Sequence, residues 1–164
     1  MCIGSKVLVV GCCGSGKSTF ARELGQRTGI PVTHLDALFW NADGTHVSRE
    51  EFRRRVDEVM RKDAWILDGD FSSTYEQRIV ASHTVVFLDY DEKTCLEGAA
   101  ARLGHKRPDL PWVETELSPE LAAHIHAYAT KTRPKLLSLL AAHPDKALIA
   151  FKTRSDADAW LRDL

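Results

Sequence analysis

Nowhere does the sequence approach the roughly 18 consecutive apolar residues of a helical membrane span, so no membrane-embedded role is expected. An excess of charge is missing too. Lys and Arg number 22 against 23 Asp and Glu, for a formal net charge of -1, whereas a nucleic-acid-binding domain normally carries a strongly basic face. Direct nucleic-acid binding is therefore not expected, although a local basic pocket stays open. Cysteine is sparse: Cys2, Cys12, Cys13 and Cys95 have the spacing of neither a disulfide framework nor a zinc site, and free thiols are expected. The seven histidines are scattered without paired ligand spacing, so no structural metal is expected either. There is no low-complexity run, repeat or linker, and the start of the chain leads straight into a strand with no room for a signal peptide. These absences leave a single domain over 1–164, expected in the cytoplasm as a monomer or homodimer.

What is present alternates between two periods. Lys6–Val10 contains the unbroken run Val-Leu-Val-Val, the pattern of a strand buried on both faces in a parallel sheet. From Lys17 to Thr28 the period becomes helical and is closed by Gly29 and Pro31. Further strands are read at Val32–Leu35, Trp65–Leu67, Thr84–Leu88 and Ala147–Phe151. Between them, Ser48 with Glu51 forms a capping box ahead of a helix carrying Phe52, Val56, Val59 and Met60. Asp91 caps a helix with Leu96, Ala99, Ala100 and Leu103, and Ser118-Pro119 opens a long one that must bend or break near Pro134. Ser155 with Asp158 is read as the cap of a last helix burying Ala159, Trp160 and Leu164. Residues 104–117 hold Pro108 and Pro111 without a period and are read as a loop. The fold class is α/β, five strands with helices on both faces.

The strongest signal is Gly11-Cys12-Cys13-Gly14-Ser15-Gly16-Lys17-Ser18, a full match to G-x-x-x-x-G-K-[ST] between a buried strand and a helix. Its glycines let successive N–H groups converge on an anion, and the helix beginning near Lys17 adds the positive end of its dipole. Gly11, Cys12, Cys13, Gly14, Ser15, Gly16, Lys17, Ser18 and Thr19 are thus the expected nucleotide-binding residues. Lys17 is placed to reach β- and γ-phosphates, and the Ser18 hydroxyl suits Mg²⁺. Cys12 and Cys13 at the variable positions are either small tolerated side chains or thiols activated by the helix terminus. The expected cofactors are ATP and Mg²⁺.

Together with His34-Leu35-Asp36, Trp65-Ile66-Leu67-Asp68-Gly69-Asp70 and Arg107-Pro108-Asp109, this loop resembles the FlaR-like or topology modulation proteins, relatives of adenylate kinase. The resemblance spans Val7 to Leu161. It implies a three-layer P-loop fold with parallel strand order 2-3-1-4-5 and a lid at 104–117. It also implies transfer of the γ-phosphoryl group of ATP to a small acceptor, a nucleoside monophosphate among the options. An ATP-dependent regulatory module and a simple NTPase are the alternatives. Leu67-Asp68-Gly69 looks like the Leu-Asp-Gly of nucleoside monophosphate kinases, which makes Asp68 a Mg²⁺ residue beside Ser18, or else a turn aspartate. The Asp70-Phe71 that follows departs from the family's usual Asn-Tyr. Asp36 stands where related sugar and shikimate-type kinases place an acceptor- or metal-contacting aspartate; it is a general base or a helix cap. Arg102, Arg107 and Arg133 correspond in position to arginines that clamp ATP and the migrating phosphoryl group. Arg78 and one of Arg53, Arg54 and Arg55 are further acceptor candidates, and Trp40 and Trp112 are the tryptophans expected near the cleft.

Overall fold

Val7, Leu8, Val9 and Val10 are all fully buried, because helices cover both sides of the strand that carries them. In the computed structural model, which describes residues 3–164, this strand is β1 (Lys6–Gly11), followed by α1 (Lys17–Thr28), β2 (Val32–His34), α2 (Leu35–Phe39) and α3 (Arg49–Met60). Next come β3 (Trp65–Asp68), a short 3₁₀ turn (Ser72–Thr74), α4 (Tyr75–Ala81), β4 (Thr84–Leu88) and α5 (Glu92–Ala101). The chain then runs through α6 (Pro119–Ala127), α7 (Arg133–Ala142), β5 (Ala147–Phe151) and α8 (Arg154–Arg162). All strand pairs are parallel, in the order β2-β3-β1-β4-β5.

Alternation along β1 divides the core in two. Val7 and Val9 meet Phe20 and Leu24 of α1, Ile125 of α6 and Leu161 of α8 on one face. Leu8 and Val10 meet Phe52 and Val56 of α3, Ile79 of α4 and Leu136 of α7 on the other. Full burial of such a side chain is worth roughly 1.5–3 kcal/mol, so the sheet is held from both sides by several independent helices. With every strand parallel, all the strand C-terminal ends face one edge, and the loops that follow β1, β2 and β3 are brought together there.

One local reading needs correction. The last helix is capped by Thr153, whose hydroxyl accepts from the Asp156 N–H at 3.2 Å, not by Ser155. With the helix starting two residues earlier, Ala157 and Leu161 lie in the core; Trp160 stacks on Phe20, while Leu164 stays 41% exposed. Thr153→Ala should cost about 1 kcal/mol in urea-induced unfolding; Ser155→Ala should leave the midpoint unmoved. The long helix is distorted just before Pro134, as that residue demands. Pro134 lacks an N–H and its ring crowds the carbonyl four residues earlier, and the chain answers with a widened π turn at Tyr128–Thr132 before α7 begins.

Candidate active site

The loop after β1 is shaped for an anion. Gly14 (φ 80°) and Gly16 (φ 91°) adopt left-handed conformations that side chains rarely accept, and a Cβ on Gly14 would run into the backbone of Cys95. Arg154, the first residue of α8, donates to the carbonyls of Gly14 (2.7 Å) and Ser15 (3.1 Å). With those oxygens engaged, the N–H groups are left as the loop's free polar face. Lys17 Nζ donates to the carbonyl of Cys12 at 2.8 Å. In the same cleft, of about 990 Å³, Arg22 and Arg107 each present a buried guanidinium nitrogen with no partner. Unpaired buried donors around a glycine cradle fit the phosphates of a nucleotide.

Beside the loop lies a cluster of oxygen atoms that could receive a cation. Ser18 Oγ lies 2.8 Å from Asp68 Oδ2 at the end of β3 and 3.0 Å from Asp109 Oδ2, donating its single proton to one or the other. Asp68 is 2% exposed, and its second oxygen is engaged by His34 Nδ1. Burial pulls the His34 imidazolium down, but the Asp68 carboxylate outweighs it and leaves the ring more basic than usual. A hydroxyl and two carboxylates form a hard, all-oxygen set, the chemistry Mg²⁺ requires. Ser18 and Asp68 would hold that ion, which when bound neutralises charge on the β- and γ-phosphate oxygens.

Asp36 sits in the first turn of α2, immediately beyond β2, and lines the cleft. It is not the cap of that helix, a position taken by His34. Burial pushes its carboxyl up to about 6 against the pull of Lys17, with the Asp109 and Asp68 carboxylates adding to the rise.

Residues 104–117 fold back across the cleft. The Gly104 N–H donates to the Glu114 carbonyl at 2.7 Å, and the Glu114 side chain pairs with Arg102 (3.0 Å) and Arg107 (3.4 Å). Arg107 also reaches Asp109 at 3.2 Å, and Asp109 and Leu110 are buried beneath the segment. Trp112 meets Trp40 edge-on at 5.2 Å, and both line the cleft. Lys106, the neighbour of Arg107, is exposed and outside the lining.

Three arginine readings are not matched by position. Arg133 does not reach the cleft: its guanidinium binds Asp89 through two hydrogen bonds of 2.7 and 2.8 Å, anchoring α7 to the end of β4. Burial raises the Asp89 carboxyl, but Arg133 and Lys152 outweigh it and hold it below the usual carboxylate range. Arg78 is fully buried and spends its donors on Thr74 and on the carbonyls of Gly69, Asp70 and Phe71. It thereby fixes the loop after β3, including Phe71 in a left-handed conformation (φ 32°) that costs energy for a side-chain residue. Arg54 and Arg55 pair with Glu51 on α3, and neither they nor Arg53 lines the cleft.

The sequence reading passed over other cleft residues. Asp70 accepts from His124 Nε2 at 2.7 Å and from the Tyr75 hydroxyl. Contact with Asp70, and then with Cys13, raises the His124 imidazole to about 10. The extra carboxylate in Asp68-Gly69-Asp70 was a visible signal, but His124 lies 54 residues from Asp70 on another element and gave none. Asp109, which buries a carboxylate beside Ser18, and Arg154, which ties down the phosphate loop, also gave no signal of these roles in the sequence.

An all-parallel sheet in this order, with a glycine-rich loop after the central strand and helices on both faces, is the fold of P-loop kinases. The structure superposes on a gluconokinase from Sinorhizobium meliloti 1021 with a TM-score of 0.59 and 15% identity, covering 99% of this chain and 90% of that one. A shikimate kinase from Bacteroides thetaiotaomicron gives a TM-score of 0.59 at 14% identity, over 96% and 94% of the two chains. In sequence, the chain is 33% identical over 98 residues to shikimate kinase from Mycobacterium ulcerans (strain Agy99), covering 51% of this chain and 53% of that protein. It thus spans about half the length of the curated relatives it matches. No protein-family model matches the sequence. Among the described residues, no helix is long and apolar enough to cross a membrane.

Proposed function

We infer that the protein is an ATP-dependent kinase that transfers the γ-phosphoryl group to a hydroxyl of a small acceptor. The observation that carries this reading is the joint lining of one covered cleft by Lys17, Ser18, Asp68 and Asp36. Phosphate cradle, cation position and a carboxylate able to take a hydroxyl proton face the same space. In the proposed reaction the glycine loop and Lys17 hold the β- and γ-phosphates, while Arg22 and Arg107 bring positive charge to the wall of the cleft around the moving group. Asp36 accepts the proton of the attacking hydroxyl. Residues 104–117 exclude water, which favours transfer over hydrolysis.

An alcohol acceptor has more support than a nucleoside monophosphate. Beside the phosphate loop the cleft wall presents the carboxylates of Asp36 and Asp70. Arg78 and Arg55, which could have received a second phosphate, are committed to main-chain oxygens and Glu51. The shikimate kinase and gluconokinase likenesses point toward polyhydroxylated acceptors, which we propose as the first class to assay.

ADP release measured against a panel of sugars, sugar acids, polyols and nucleoside monophosphates tests the reading. Acceptor-dependent release supports a kinase, acceptor-independent release an NTPase, and tight ATP binding with negligible turnover a regulatory module. The cation assignment has its own test. Asp68→Asn should raise the Mg²⁺ concentration for half-maximal activity more than it weakens ATP binding, and an unchanged half-saturation point would remove Asp68 from the metal site. We further propose that residues 104–117 act as a lid. Hydrogen exchange in this segment should slow when an unhydrolysable ATP analogue saturates the protein, and identical exchange with and without it would mean that the segment is fixed.

A further inference from the structure

The geometry points to a second cation site on the cleft wall, formed by Cys13, Asp70 and His124 and suited to a borderline divalent ion of the Zn²⁺ class. One donor atom from each of the three residues lies within 4.8 Å of the others. They come from three separate elements, the phosphate loop, the segment after β3 and α6, so the convergence belongs to the fold and not to any local motif.

The donor chemistry separates this site from the Mg²⁺ position. Ser18 and Asp68 offer only oxygen. Thiolate, imidazole and carboxylate together are the ligand types of Zn²⁺, and three protein ligands leave a fourth position for water or a substrate atom. Because all three residues line the cleft, that fourth position opens into it. Mg²⁺, which prefers a shell of oxygens, gains little from a sulfur and a nitrogen.

The surroundings hold the ligands in place. His124 Nε2 and Asp70 Oδ2 are already 2.7 Å apart, and the other Asp70 oxygen accepts from the fully buried Tyr75 hydroxyl. Arg78 fixes the backbone around Asp70 through the carbonyls of Gly69, Asp70 and Phe71. Such outer partners orient a ligand and fix its free lone pair, and losing one typically weakens metal binding about 10- to 100-fold. Binding involves no redox change. The thiol proton of Cys13 and the proton shared by His124 and Asp70 pass to water, and the ion takes their place. Once bound, it links α6 to the phosphate loop.

The test uses cobalt(II) as the probe with the reduced, full-length protein, and with neither nucleotide nor acceptor present. A failed acceptor panel therefore leaves it intact. Titration should give a one-to-one complex with strong visible bands of tetrahedral Co²⁺ and a near-ultraviolet thiolate-to-metal band, both displaced by Zn²⁺. Cys13→Ser, a small change at a loop position, should abolish the thiolate band. His124→Gln should weaken binding by more than about tenfold, and Tyr75→Phe by about tenfold through Asp70. Circular dichroism checks that each variant remains folded. A thiolate band that survives Cys13→Ser, or no cobalt complex at millimolar metal, overturns the site.

Discussion

Replacing Lys17 with alanine should lower phosphoryl transfer about 100- to 1,000-fold, roughly 3–4 kcal/mol, the cost of losing one preorganised electrostatic donor to a transition-state oxygen. The fold should survive, because Lys17 is only part-buried and its single contact is the Cys12 carbonyl, which needs no such donor in a loop already tied by Arg154. That contact is the one the ammonium gives up when a phosphate enters. Turnover with the best acceptor and a thermal unfolding curve, measured on the same preparation, separate the two effects. Activity within about threefold of the parent would remove Lys17 from the reaction.

Asp36→Asn carries the second large effect, a fall of about 100- to 10,000-fold in turnover if its carboxylate takes the acceptor's proton. The pH dependence gives the sign. A base must be unprotonated to act, and this carboxyl is pushed up to about 6 by its buried position beside Asp109 and Asp68. Activity per unit of free enzyme should therefore rise as pH climbs through about 6 and then level off. The asparagine variant should keep its ATP affinity and lose this acid limb. If the limb persists in Asp36→Asn, the proton leaves by another group.

The sequence made some of this site legible for a definite reason. The phosphate loop needs its glycines, lysine and serine consecutively, so Gly11 to Ser18 could be read without knowledge of the fold. Strand order followed once the alternating periods and the family resemblance were in hand, and the β2-β3-β1-β4-β5 sheet agrees with it; Asp68 ends β3, whereas Asp36 lies just past β2 in the first turn of α2. The arginines were harder, because a guanidinium is long and serves many partners. Nothing in the sequence separates Arg107, which enters the cleft, from Arg133, which is consumed by Asp89, or from Arg78, which is buried under main-chain oxygens. His124 was hidden for a related reason. Its partners Cys13 and Asp70 lie more than fifty residues away, and it is the fold that brings the three together.

The contact between Arg154 and the phosphate loop sets an order of events during synthesis. Gly14 and Ser15 leave the ribosome early, but the guanidinium that holds their carbonyls is encoded 140 and 139 residues later. At about 5–20 residues per second, that interval is about 7–28 s. Throughout it the glycine loop lacks its brace, and β5 itself is completed only a few residues before Arg154. The loop's carbonyls are therefore held only after α8 has docked.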